Sequence, residues 1–209
     1  MLKFYDKFTD QMLLRTIQGT EVGQIDGIVL FDLRKSGGSF RLTIETTLRI
    51  LRQYDPRRYA RVVRYISRIV NQITTRGRAL YIFNIRTVQL EFSEWPNVSD
   101  DLNAASYACL LVNESTRGVI SSKGIEYSAK NRVRIERLCA AEQNRFAAKV
   151  VAADPLRYPS KILIVPFDEK SLDEARNTDF LVGLWSILWR TITDWKLNQK
   201  VESHNRKNL

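Results

Sequence analysis

Histidine is almost missing from this chain. His204 is the only one among 209 residues, and it sits near a polar end. A metal site built on two or more imidazoles therefore cannot form within one copy. Ser115, Ser121 and Ser122 have no histidine to activate them, and neither do Cys109 and Cys139. Those two cysteines are all the chain has, and no Cys-x-x-Cys occurs. Both fall in apolar periodic segments, which favours reduced core thiols over a disulfide. Glycine and proline are sparse, and there is no internal repeat or low-complexity linker. No stretch approaches the roughly 18 apolar residues needed to span a bilayer. The nearest, Phe180 to Trp189, is short and runs into Arg190. The opening MLKFYDKFTDQMLL has acids and polar groups where a signal peptide would be apolar. A cytoplasmic location is expected.

What is present is an ordinary globular composition with an unusual charge. Hydrophobic residues make up 44% and charged residues 27%, enough for one domain with a single core. The net charge is +10 and the pI about 9.8. This balance suits a nucleic acid, an anionic membrane or an acidic protein, without choosing among them.

Periodicity places the elements. Gly27 to Leu33 reads as a strand and Arg34 to Gly38 as a turn. Phe40, Ile44, Leu48 and Leu51 share one face of a helix over 40–54. Asp55-Pro56 is a helix start, since Asp caps and Pro suits the first turn. The spacing of Tyr59, Val62, Val63, Ile66, Ile69, Val70 and Ile73 predicts a helix over 56–73. Arg57, Arg61, Arg64 and Arg68 would then form a stripe roughly 60° wide on its opposite face. Strands are predicted over 78–83 and 87–92. Helices follow over 99–120, capped by Ser99, and over 128–151. Lys161 to Val165 is strand-like or a buried extended segment. An amphipathic helix over 172–195 holds Trp185, Trp189 and Trp195, read as core with a partner or membrane-interface face as the alternative. Residues 198–209 read as a disordered polar tail.

The most informative segment is Leu110-Leu-Val-Asn-Glu-Ser-Thr-Arg-Gly-Val-Ile120. It is preceded by Ala105-Ser-Tyr-Ala-Cys and followed by Lys123-Gly-Ile-Glu-Tyr-Ser128. Beyond it comes Asn131-Arg-Val-Arg-Ile-Glu-Arg-Leu-Cys-Ala-Ala-Glu-Gln-Asn-Arg-Phe146. Over about Ala104 to Phe146 this resembles an uncharacterised zincin-like family of metallopeptidases, with its LVHEATHGV helix, G-x-x-Y-S turn and N-R-x-x-I-E-R-x-C-x-x-E-x-x-R-F pattern. In a working HExxH helix, two histidines at i and i+4 hold zinc and the adjacent Glu is the general base. The resemblance implies that Glu114 is the remnant base. It makes Asn113 and Arg117 the former ligand positions, with the third ligand supplied by Glu136 or, as runner-up, Glu142.

The departures fall on the positions that matter most. An amide is a poor zinc ligand, and a guanidinium is permanently cationic and cannot coordinate. No metal and no cofactor are expected, and peptidase activity is not. One reading makes Arg117 an internal cation that replaces zinc and pairs with Glu114 or Glu136. The other sends Arg117 to solvent and leaves Glu114 a surface acid.

Nine arginines against one acid, Asp55, lie between Arg49 and Arg78. Arg57, Arg61, Arg64 and Arg68 are therefore candidates for phosphate binding, against the plainer reading of a solvated helix face. No nucleic-acid recognition motif accompanies them. The expectation is an α+β fold: one mainly helical domain over 1–197, with a small, largely antiparallel sheet, resembling a minimal zincin. The expected function is that of a catalytically inactive, metallopeptidase-like pseudoenzyme that binds an unidentified protein or anionic partner. The alternatives are a basic nucleic-acid-binding domain using the helix over 56–73, or a metal-independent hydrolase using Glu114 and Glu136.

Overall fold

A computed structural model describes residues 10–74, 79–93, 98–128 and 130–167. The chain divides into two units, Met1–Phe167 and Asp168–Leu209, and every described residue belongs to the first. The predicted tryptophan helix over 172–195, the polar tail and the domain boundary at 197 lie outside the described residues.

The fold is α+β. After a helical stretch over 10–16, strands β1 (Glu21–Ile25) and β2 (Ile28–Asp32) form a hairpin. Its two-residue turn is Asp26-Gly27, and both residues have positive φ, 50° and 83°. Such a turn matches the twist of the strands it joins. Helices α1 (Gly38–Tyr54) and α2 (Pro56–Tyr65) lead to β3 (Arg68–Asn71), then β4 (Ala79–Ile82) and β5 (Thr87–Leu90). The rest is α3 (Asp100–Ser122), α4 (Arg132–Ala153) and a single turn, α5 (Ser160–Leu163).

The five strands form one mixed sheet in the order β1-β2-β3-β5-β4. Its outer pairings, β1 with β2 and β4 with β5, are antiparallel; the inner two, β2 with β3 and β3 with β5, are parallel. The parallel pairing of β2 and β3 needs a long crossover, which α1 and α2 supply.

Two segment readings are corrected. The helix predicted over 56–73 ends at Tyr65, and Ile66 is already extended. Its second half is the central strand β3, where Ile69 and Val70 are fully buried. The apolar spacing there also fits a helix, but β-branched residues pack well in a sheet, and pairing with β2 and β5 decides the outcome. Lys161 to Val165 is not a strand: Ser160–Leu163 form a helical turn that buries Leu163.

Helix α3 is the centre of the described unit. It starts at Ser99, whose hydroxyl accepts from the Leu102 N–H at 3.3 Å, and Asp100 and Asp101 complement the positive end of its dipole. Fifteen of its 23 residues are buried. Phe40, Ile44, Leu48 and Leu51 of α1 are buried as predicted and share one core with Ala104, Ala108, Leu111 and Val112 of α3. The Thr47 hydroxyl donates to the Ala104 carbonyl at 3.0 Å, fixing the two helices in register.

Candidate functional site

The middle of α3 carries the segment Asn113-Glu-Ser-Thr-Arg117. Positions 113 and 117 lie one helical turn apart on the same face. The face of α4 opposite them presents Glu136 and Gln143. The Asn113 amide donates to Gln143 Oε1 at 2.9 Å, and Arg117 Nη2 donates to Asn113 Oδ1 at 3.3 Å.

Arg117 is the hub. Its Nη2 donates to Glu136 Oε2 at 2.6 Å and its Nη1 to Glu136 Oε1, which makes a forked pair. Its Nε lies 3.1 Å from Glu114 Oε2, a charge contact that lacks hydrogen-bond alignment. The side chain is 17% exposed and that of Glu114 only 5%. The solvent-facing reading of Arg117 and Glu114 is therefore corrected: both are internal. Tyr127, on the turn between α3 and α4, donates from its hydroxyl to Glu136 Oε1 at 2.6 Å, and its ring lies 5.9 Å from the Arg117 guanidinium.

Burial and charge pull the two carboxylates apart. Desolvation raises the pKa of Glu114 above the ordinary carboxylate range, and the Arg117 charge only partly offsets this. Glu136 also feels desolvation, but the hydrogen bonds and charge of Arg117 overcome it and lower its pKa. Burial alone would lower the pKa of Arg117. The Glu114 charge and the Glu136 hydrogen bond reverse that and hold it firmly cationic. Cys139, fully buried beside this group, has its thiol pushed up to about 12 by desolvation and is inert as a nucleophile.

The close approach of α3 to strand β4 depends on Gly118. A Cβ there would lie 3.0 Å from both the Tyr81 hydroxyl and the Tyr65 Cβ. The Tyr81 hydroxyl donates to the Tyr65 carbonyl at 2.7 Å, tying β4 to the end of α2 across the glycine.

Glu142, the runner-up for the third position, belongs to a different group. It accepts from Arg58 and Arg61 of α2, both at 3.0 Å, and from Arg145 at 2.8 Å. Asp55 caps α2 through the Arg58 N–H at 3.1 Å, as the Asp-Pro signal predicts. It also pairs with Arg58 and with Lys149, each at 2.5 Å. Desolvation opposes ionisation of Asp55, but these partners prevail and bring its pKa down to about 2.

The predicted arginine stripe is not a continuous face. Arg57 and Arg64 are exposed on α2, and Arg61 is partly buried against Glu142. Arg68 lies on β3 and donates to the Ile85 carbonyl at 3.0 Å. Sequence reasoning missed Tyr127 and Gln143. Tyr127 stands in the G-x-x-Y-S turn; nothing marks Gln143 except its place one turn beyond Cys139 on α4.

The donor set does not fit zinc, which takes imidazole, thiolate or carboxylate ligands. Here one position is an amide, another a cation, and both Glu136 oxygens are engaged. Among the described residues, no three His, Cys, Asp or Glu side chains cluster so as to hold a metal ion. No described helix is long and apolar enough to cross a membrane. No protein family, curated protein or solved structure matches the chain.

Proposed function

We propose that this is a catalytically inactive, metallopeptidase-like protein of the cytoplasm that acts by binding a partner. Arg117 stands where a zinc peptidase has its ion. The observation that carries the reading is the forked Arg117–Glu136 pair, with Glu114 on the same guanidinium. A permanent internal cation can hold the two carboxylates and the α3–α4 pair together. It offers no open coordination position for water and cannot polarise a carbonyl as a Lewis acid does. A metal-independent hydrolase built on Glu114 and Glu136 finds less support. Glu114 is shut from solvent, and both Glu136 oxygens are taken.

The test is elemental analysis of the purified protein after incubation with zinc and dialysis, beside a cleavage assay on an unfolded protein substrate. The expected result is substoichiometric zinc and no cleavage above that of Glu114→Gln. Stoichiometric zinc, or cleavage abolished by Glu114→Gln, would overturn the proposal.

A further inference from the structure

Ion pairs between α2 and α4 assemble a basic ridge that differs from the stripe on α2 alone. Lys149 and Arg58 share Asp55, and Arg58, Arg61 and Arg145 share Glu142. These contacts join cations of two helices into one network, in which four cations meet two carboxylates. Arg57 and Arg64 add two further exposed cations on α2. The outer members are accessible: the side chains of Arg145 and Lys149 are 70% and 53% exposed. The inner members are held in place, with Arg58 and Arg61 only 14% and 20% exposed. Glu142 and Asp55 thus fix the inner arginines and leave the ridge with an excess of positive charge.

We propose that this ridge binds the phosphate backbone of nucleic acid without reading the bases. Arg57, Arg64, Arg145 and Lys149 make the phosphate contacts, while Arg58 and Arg61, paired with Asp55 and Glu142, hold the ridge in place behind them. Charge complementarity argues for a polyanion. The ridge argues against a membrane surface, because a helix that lies on a bilayer presents large apolar side chains beside its cations. Among the described residues, α2 exposes no large apolar side chain and α4 exposes only Leu138. Arg68 has no part in this surface. The inference stands apart from the Arg117 centre, so either can fail alone.

Fluorescence anisotropy of the full chain tests it. The probes are labelled single-stranded RNA and duplex DNA of mixed sequence, with phosphatidylserine-containing vesicles as a separate arm. Four phosphate contacts predict an affinity loss between about 50 and 200 mM salt of about 150-fold for duplex DNA and about 50-fold for single-stranded RNA. Arg57→Gln/Arg64→Gln/Arg145→Gln should remove about three contacts, lower the slope of log affinity against log salt by about 2.7 for the duplex and about 2.1 for the single strand, and weaken low-salt binding at least ~10-fold. Lys35→Gln/Lys123→Gln/Lys130→Gln removes the same charge from exposed positions outside the ridge and should change binding less than about threefold. Both triple variants should melt with the wild type, since all six side chains are exposed. No binding at low salt would overturn the proposal. So would equal losses in the two triples, or binding to vesicles but not to nucleic acid.

Discussion

Arg117 carries two carboxylates on one guanidinium, and the cost of its loss follows from that. Removing one partner of a largely buried pair leaves the other charge desolvated, at about 3 kcal/mol or more. Arg117→Ala should therefore lower stability by about 3 kcal/mol in denaturant melts. It should also raise the titration of Glu136 above the ordinary carboxylate range in carboxyl NMR. Unchanged stability and unchanged titration would place Arg117 outside the structural account. The two acids should differ under mutation. Glu136 is held below its usual pKa, so its ionised form contributes stability above the unfolded value, and this is lost as pH falls. Glu114 is held above, so its contribution is present in acid and is lost as pH rises through its folded value. At neutral pH, Glu136→Gln should cost about 2 kcal/mol or more, and Glu114→Gln less than about 1. A larger loss from Glu114→Gln would reverse that assignment.

Between elements, the two ends of α2 are secured differently, and each can be tested. At its start, Asp55 is a cap and a buried ion-pair partner together. With a folded pKa of about 2, it contributes on the order of 2 kcal/mol above about pH 4, lost as pH falls toward 2. Asp55→Ala should remove that acid-sensitive component, seen as a flatter stability profile over the same window. Near the other end, Gly118→Ala would gain roughly 1 kcal/mol of helix propensity. The added methyl, however, meets Tyr81 and Tyr65 at 3.0 Å, so a net loss of about 1–2 kcal/mol is expected in thermal melts. Much of this architecture is legible in the sequence: the α1 face, the Asp-Pro start of α2, the Ser99 cap and the pairing of α3 with α4 through Glu136. The hairpin is not: the apolar run places the start of the strand at Gly27, which belongs to the turn, and β1 is too polar to stand out. The fate of Ile66 to Ile73 was not legible, because its spacing fits both a helix and a strand. Only the neighbouring strands β2 and β5 settle it.

For the whole molecule, the net charge is +10. Some of its cations are internal and matched by acids: Arg117 by Glu114 and Glu136, and Arg58 and Arg61 by Asp55 and Glu142. Among the described residues, the α2–α4 ridge sets six cations, Arg57, Arg58, Arg61, Arg64, Arg145 and Lys149, against two acids, Asp55 and Glu142. Helix α4 therefore has two sides to its role. Its first half is joined to α3 and α2 through Glu136, Gln143 and Glu142, and its second half through the apolar Phe146, Ala147 and Val150. The proposed loss of metal chemistry and the gain of an internal cation occur at one helix–helix contact. The structure brings positions 113, 117 and 136 together there. The most direct measurement places imidazoles at that contact. Zinc binding by calorimetry is compared for the wild type, for Asn113→His/Arg117→His, and for the same pair with Glu136→Gln. The account predicts tight stoichiometric zinc for the double variant, weak or no binding for the wild type, and loss of affinity when Glu136 is neutralised. Zinc bound by none of the three, or by the wild type as tightly as by the double variant, would contradict it.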